Sequence, residues 1–486
     1  MGHLTIRNLS ITPLELVEAE RITHPPPAAP QLGPSKALFN ITTRITGRQP
    51  GPPPPAPTEP PAQHDQPTTT KEPIPTVPIQ PFSESVAPLT PPDTSASEQL
   101  RLTFSEPGTP RRYTLTFPGA TPQSLVMTSS GDNSNDDKEF TAIFLPRSSY
   151  LTLLSSAHLS TWMAPLPSTL PLSALSIPGT HNSPTYRVAL PSVRCQAVSV
   201  AAQLAGGVRF LDVRVSCPGG DPSSSTDLAL VHSAFPVALS GAKYLADLLA
   251  TVHAFLDANP SETVLLSLKR EGTGKGTDQQ LSQILARRYL AEPSAERWFA
   301  EPRIPTLGEA RGKIVLVRRF VVDEGVAAER GGGFGIDGSV WPDNCEDGTC
   351  GGGLIRIQDY YDVAAPDDID KKIEFAAKGL ERAAQRDAVP KDERPEDGPA
   401  PPLFINFLSA SSFFNASCWP DRIAAKINPS MIEYLCTAHG PGTGPGEVSI
   451  GDAGTGVVVM DWVGRDGDWD LCRCIVAWNA RLQLRR

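Results

Sequence analysis

The chain has 486 residues, room for two or three domains and a large core. With 40% hydrophobic residues and no apolar run long enough to span a bilayer, it reads as a soluble globular protein. A net charge of −10 argues against nucleic acid as a partner and against strong electrostatic docking on anionic lipid. The start, Met1-Gly2-His3-Leu4-Thr5-Ile6, has no charged-then-apolar secretion pattern, and Ile6 stands where myristoylation wants Ser or Thr. A cytoplasmic location is therefore expected, and the eight cysteines are sparse enough to be reduced thiols there. Cys345 and Cys350 bracket a loop that a small disulfide could close, and Cys472 and Cys474 alternate as on one face of a strand. No paired CxxC motifs or His/Cys cluster suggests zinc.

Residues 1–47 and 98–160 read as one β-rich module. Strands are expected at His3–Ile11 and Phe39–Thr46, then at Leu100–Phe104, Tyr113–Phe117, Ser124–Met127, Phe140–Leu145 and Tyr150–Leu154. Gly, Pro, Asn and Asp clusters separate them, as in a small antiparallel sandwich, with a flexible insertion at Ser129–Asp137. Residues 48–97 are rich in Pro, Thr, Ser and Gln; such a segment cannot bury enough surface to offset its ordering entropy and is expected to be disordered. Nothing in this third of the chain reads as a catalytic constellation, and its protein partners are not legible.

From residue 161 to 486 strand-like and helical runs alternate. Strands are expected at Leu172–Ile177, Val208–Val213, Leu228–Val231, Thr263–Leu268, Lys313–Arg318, Leu354–Gln358, Leu403–Phe407 and Gly456–Met460. Pro178-Gly179 is expected to end the first of these. Helical spacing marks Leu245 to Leu256, Asp278–Leu290, and a face of Ile373, Ala376, Ala377 and Leu380. The fold class is α/β, an irregular TIM-type barrel, since no helix separates the second and third strands. Glycines at 272–277 and 331–335 lack the spacing of a phosphate loop and read as rim loops.

Barrel chemistry sits where strands end, and polar residues recur there. They are His181 after strand one, Asp212 and Arg214 at strand two, His232 at strand three and Lys269 at strand four. Arg319 follows at strand five, Asp359 and Tyr361 at strand six, and Asp461 at strand eight. Two histidines, an arginine and a carboxylate suffice to cleave a phosphodiester without a metal. One imidazole takes a proton from the attacking hydroxyl and the other gives one to the leaving oxygen. The guanidinium stabilises the phosphoryl charge, and a carboxylate fixes one histidine's tautomer. Phe413, Phe414 and Trp419 follow strand seven; they suit either an interfacial wedge or packing of their own loop.

His181 in SIPGTHNS, Asp212 and Arg214 in RFLDVR, His232 in LALVHSAF, and NPSETVLLSLK, ARGKIVLVRRF, VWPDN, IQDYY and VVVMDW resemble the phosphatidylinositol-specific phospholipase C family. The resemblance is to its bacterial, metal-independent branch and runs in order from about residue 165 to the end. It implies cleavage of phosphatidylinositol to diacylglycerol and inositol 1,2-cyclic phosphate, with no cofactor, at a membrane surface bound transiently. It also implies roles: His181 as general base oriented by Asp461, His232 as general acid, and Arg214 on the phosphate. Lys269, Arg319 and Asp359 would meet inositol hydroxyls, and Tyr361 would stack on the ring. One departure stands out. The bacterial pattern has Asp after the first histidine, backing the general acid, whereas this chain has Asn182, which would leave His232 a weaker acid unless Asp212 compensates. Alternatives are a non-catalytic inositol-lipid adaptor and a phosphodiesterase for another inositol or glycerol phosphodiester.

Overall fold

The computed structural model describes residues 3–24, 67–92, 98–118, 124–130, 140–155, 158–220, 227–291, 293–385, 401–440 and 454–483. The strand expected at Phe39–Thr46, the first part of the Pro-rich segment and most of the 129–137 insertion lie outside them.

The first part of the chain forms β1 (Leu4–Leu9), β2 (Leu14–Thr23), β3 (Thr68–Glu72), β4 (Val77–Ile79), β5 (Ser83–Ala87), β6 (Glu98–Ser105), β7 (Arg112–Phe117), β8 (Ser124–Val126), β9 (Thr128–Ser130), β10 (Thr141–Leu145) and β11 (Tyr150–Leu154). One sheet has the order β5-β1-β11-β10-β8, the other β3-β2-β6-β7-β9 with β4 beside β2. Alternate residues Leu100, Leu102 and Phe104 of β6 share a buried cluster with Leu4, Ile6, Leu151 and Leu153, so the two sheets close on one core. Disorder across 48–97 is corrected for the described part, which supplies β3, β4 and β5. The reason is period-two patterning: Val77 and Ile79 are buried on either side of an outward Pro78.

This module packs onto the rest of the chain. Leu9, Phe82, Tyr150 and Leu154 belong to the same core as Ile432, Leu435 and Trp478. Buried Arg7 donates to the carbonyls of Cys436 (3.0 Å) and His439 (2.8 Å), at the C-terminal end of the helix Pro420–Thr437. That is where a helix leaves unpaired carbonyls and favours a cation.

The barrel strands are β12 (Ile177–Thr180), β13 (Phe210–Ser216), β14 (Ala229–His232), β15 (Phe235–Pro236), β16 (Val264–Arg270), β17 (Trp298–Phe299), β18 (Ile314–Arg319), β19 (Ile336–Asp337), β20 (Gly348–Cys350), β21 (Ile355–Gln358), β22 (Leu403–Phe407) and β23 (Val457–Met460). Their order is β17-β18-β16-β13-β12-β23-β22-β21-β20, and every pairing from β18 through β21 is parallel. Helices Leu245–Ala258, Asp278–Ile284, Asp368–Gln385, Pro420–Thr437 and Asp470–Ala477 cover the outside.

Four expectations are corrected. The third strand, β14, runs antiparallel to β13 and turns back into β15, the sequence between β13 and β14 offering no helix for a parallel crossover. Among the described residues no pairing joins β18 or β19 to β20 or β21, so the barrel is open there. A close approach of backbones stands in its place: a Cβ at Gly351 would fall 2.2 Å from the Asp337 carbonyl. Leu172–Ala174 is a short 3-10 turn, and the first strand is Ile177–Thr180, with Pro178 and Gly179 inside it. The Pro178 carbonyl accepts from the Arg209 amide (2.8 Å), just before β13 begins. Finally, Cys472 and Cys474 lie in the helix Asp470–Ala477, which is buried on nearly every side, and Cys345 and Cys350 are free thiols.

Strand parity carries the fold into the site. In β13, Leu211, Val213 and Val215 face the outer core while Phe210 joins the inner one. Asp212 and Arg214 share the parity of Phe210 and so point inward. The register aligns Phe210, Leu265 and Val315, then Asp212, Ser267 and Val317, then Arg214, Lys269 and Arg319. Each inner layer is thus apolar at the foot of the barrel and charged at its mouth.

Candidate active site

A cavity of about 360 Å³ opens at the mouth. Its lining includes His181, Arg214, His232, Lys269, Arg319, Asp359 and Tyr361, seven of the residues named from sequence, with Asp212, Asn182 and Asp461 buried directly behind. A second cavity of about 340 Å³, beside Asn428 and Trp462, is lined by aspartates and Arg465 and holds no histidine.

The two imidazoles stand edge to face, ring centroids 5.6 Å apart. His181 Nδ1 lies 3.0 Å from Asp461 Oδ1, and Asn182 Nδ2 lies 3.2 Å from His181 Nε2. An amide NH2 can only donate, so Nε2 carries the lone pair and Nδ1–H donates to the carboxylate. His232 Nδ1 lies 2.7 Å from the Val193 carbonyl, an acceptor, which fixes the same tautomer there. The residue after the first histidine therefore contacts His181 rather than backing His232. The carbonyl of Val193 holds His232 instead, presented by the loop that follows β12.

Burial pushes both imidazoles down, with the Arg214 charge adding to it: His181 falls well below its ordinary value and His232 to about 4. Both are neutral at neutral pH. Burial drives the Asp461 carboxyl well up, although Arg214 opposes this.

Arg214 is clasped from two sides, Nε 3.2 Å from Asp212 Oδ2 and Nη1 3.0 Å from Glu271 Oε1. Glu271 also accepts from Lys269 Nζ (2.8 Å) and the Ser233 amide (2.9 Å). Burial alone would raise Glu271, but Arg214 and Lys269 overcome it and hold the carboxyl at about 2. Asp212, buried between Arg214 and Arg319, is likewise held below its ordinary value against the effect of burial. Arg319 stacks on Trp341, 3.8 Å to the ring centroid, and the Trp341 indole donates to Asp359 (3.0 Å). Tyr361 is half exposed at the edge, its hydroxyl 2.7 Å from Asp343. That bond, then burial, pushes the phenol up to about 12, so it stays neutral.

Sequence reasoning missed four contributors. Glu271 follows Ser267 and Lys269 at period two, and parity past the strand end would have found it. Trp341 and Asp343 stood in VWPDN without a role. Lys372 is wholly buried with Nζ 3.0 Å from Gln358 Oε1, and burial lowers it to about 7 against the pull of Asp359 and Asp461. Among the described residues the group suited to a metal is His181, Cys195 and His232, with one ligand atom from each within 4.8 Å of the others.

The family profile described as phosphatidylinositol-specific phospholipase C, X domain, matches residues 168–320. A 1-phosphatidylinositol phosphodiesterase of Staphylococcus aureus (strain Newman) is 28% identical over 313 residues, covering 62% of this chain and 88% of that protein. One from Listeria monocytogenes is 32% identical over 168 residues, 32% of this chain and 47% of that protein. Among solved structures, a mutant of the phosphatidylinositol-specific phospholipase C from Staphylococcus aureus matches with a TM-score of 0.52 at 22% identity. The match spans 66% of this chain and 97% of that one, a likeness of fold.

Proposed function

The chain belongs, through residues 168–320, to the phosphatidylinositol-specific phospholipase C X-domain family, and on that premise we propose that it cleaves phosphatidylinositol to diacylglycerol and inositol 1,2-cyclic phosphate without a metal. The observation that carries this reading is the pair of neutral, tautomer-fixed imidazoles across one cavity, with a guanidinium beside them.

His181 Nε2 takes the proton of the inositol 2-hydroxyl as that oxygen attacks phosphorus. The imidazolium so formed is stabilised by Asp461 through Nδ1–H. Asn182 must turn its amide oxygen toward the new N–H, since its NH2 faces the lone pair beforehand. His232 protonates the departing diacylglycerol oxygen. Its depressed pKa leaves it unprotonated in the free protein, so the anionic phosphodiester itself must draw the proton onto it. Arg214 neutralises the phosphoryl oxygens as charge builds, the work a cation would otherwise do. Its clasp by Asp212 and Glu271 fixes its plane. Lys269, Arg319 and Asp359 meet the sugar hydroxyls, and the Tyr361 ring lies on the sugar's apolar face.

We read residues 161–486 as an irregular TIM-type catalytic barrel, and the preceding strands, now including 67–92, as a β-sandwich-like accessory module. We read membrane contact as peripheral, through aromatic side chains at the mouth; no helix among the described residues is long and apolar enough to cross a bilayer. Phe414, 95% exposed, and its neighbours Phe413 and Phe235, stacked 5.6 Å apart, form an apolar prow beside the cavity. We read a cytoplasmic placement from the sequence, whose eight cysteines are sparse for 486 residues.

A substrate panel tests the activity. Diacylglycerol release is expected from phosphatidylinositol and lost when the inositol 2-hydroxyl is methylated. Equal cleavage of the methylated lipid, or of a glycerophosphodiester alone, would move the reading to another phosphodiester. Vesicle binding without turnover would make the chain an adaptor.

A further inference from the structure

The mechanism leaves Cys195 unused, although it sits against the reacting groups. It is fully buried, and its Sγ lies 3.7 Å from His232 Nδ1 and 3.4 Å from the Val193 carbonyl. With an imidazole nitrogen from each of His181 and His232, it completes a set of three ligand atoms within 4.8 Å of one another. Two imidazoles and a thiolate are the donor set of a soft, borderline divalent ion such as zinc, and they disfavour calcium or magnesium, which want oxygen.

The surroundings match that chemistry. Metal-binding histidines usually donate their second ring N–H to a carboxylate or a backbone carbonyl. Here His181 does so to Asp461, leaving its Nε2 for the metal, whereas the His232 nitrogen beside Cys195 is Nδ1, which would exchange the Val193 carbonyl for the metal. Asp461 Oδ2 is buried with no hydrogen-bond partner, so the carboxyl behind His181 has an acceptor atom left free. The cations near the rings are already paired: Arg214 with Asp212 and Glu271, Lys269 with Glu271, and Arg319 with Asp212. Tetrahedral zinc needs its ligand atoms about 3.5 Å apart, given bonds of about 2.0–2.3 Å, so closing the set takes shifts of about 1 Å.

We propose that His181, Cys195 and His232 form an inhibitory site for zinc or a similar thiophilic divalent ion, which silences the enzyme by occupying both imidazoles. On binding, the Cys195 thiol releases its proton to solvent, the His232 ring proton moves from Nδ1 to Nε2, and sulfur–metal and nitrogen–metal bonds form. Nothing is oxidised or reduced. The inference rests on the acid–base reading of the two histidines, and it reverses the usual sign of a chelator: removing metal should raise activity.

Cobalt(II) and zinc separate the possibilities. Chelator-stripped full-length protein titrated with cobalt(II) should develop a near-ultraviolet thiolate-to-cobalt charge-transfer band at one equivalent, absent in Cys195→Ala. Zinc should inhibit lipid cleavage, and Cys195→Ala and Cys195→Ser, with circular dichroism verifying their folds, should need about tenfold or more zinc for the same inhibition. Calcium should do neither. No charge-transfer band in the parent protein, or equal zinc sensitivity in both folded variants, would overturn the site. A parent protein that cleaves no lipid would refute the proposed function, while the cobalt band would still decide this inference.

Discussion

Two arginines five residues apart divide the barrel into a foot and a mouth. Arg209 has all five N–H donors occupied: Nε on Glu262, Nη1 on the carbonyls of Leu204 and Val208, and Nη2 on those of Leu159 and Ser160. It and Glu262 are both fully buried. Arg214 spends its bonds on two carboxylates that face a cavity, among groups left unsatisfied. Arg319 Nε, Asn182 Oδ1 and Asp461 Oδ2 are buried there without a hydrogen bond, while Arg319 Nη1 and Asp212 Oδ1 meet each other only as an ion pair at 3.5 Å. A protein leaves buried polar atoms unpaired at a cost of about 1–3 kcal/mol each, so a cluster of them beside an open cavity marks a place kept for a ligand. Saturation at the foot means structure; deficit at the mouth means recognition.

Exchanging the two arginines' fates is the sharpest way to break that contrast. Arg209→Met strands the Glu262 charge in the interior and should cost about 3–5 kcal/mol in urea unfolding. Arg214→Met should stay folded, because Asp212 keeps Arg319 and the Asn182 amide, and Glu271 keeps Lys269 and the Ser233 amide. Its kcat should nevertheless fall about 10²–10³-fold. Equal destabilisation of both variants would erase the distinction.

Next in size is the prow outside the mouth. Phe414→Ser should weaken vesicle partitioning about 10–100-fold, following the 1.5–3 kcal/mol of burying one phenylalanine. Turnover of a short-chain soluble substrate should not change. Trp341→Phe removes the indole bond to Asp359 and weakens the stack on Arg319. It should raise KM about tenfold with kcat little altered, since both partners are proposed to meet the sugar rather than the phosphate.

The smallest effect is in pH, measured with chelator present. His232 is depressed to about 4 in the free protein, so the protonated acid is scarce at neutrality. kcat/KM should therefore peak on the acid side of neutral, while kcat, read with substrate bound, should peak at higher pH. Stability follows the same linkage. A depressed histidine contributes stability above its unfolded value of about 6.5 and loses it as pH falls toward about 4.

Period-two parity made most of the mouth legible from sequence, because strand ends and inward faces follow from it. It failed where a rule was applied too strictly. Pro178 was expected to end its strand, yet its missing amide costs no ladder bond where β13 has not begun. The helix Pro420–Thr437 escaped notice because Pro429 lies inside it. The helix Asp368–Gln385 was found, but its buried face includes Lys372 and leaves Ile373 and Ala377 half exposed, which apolar spacing alone could not show. Arg209 and Glu262 gave no signal, since a buried ion pair is made by partners distant in sequence. The contacts of Asn182 and Val193 depend on loop conformation, beyond the reach of any spacing.

Phosphorus NMR of phosphatidylinositol vesicles mixed with the purified chain and excess chelator tests the central claim most directly. The account predicts the downfield resonance of a five-membered cyclic phosphate, lost in both His181→Ala and His232→Ala. No cyclic product with the parent protein, or product only after calcium is restored, would contradict it.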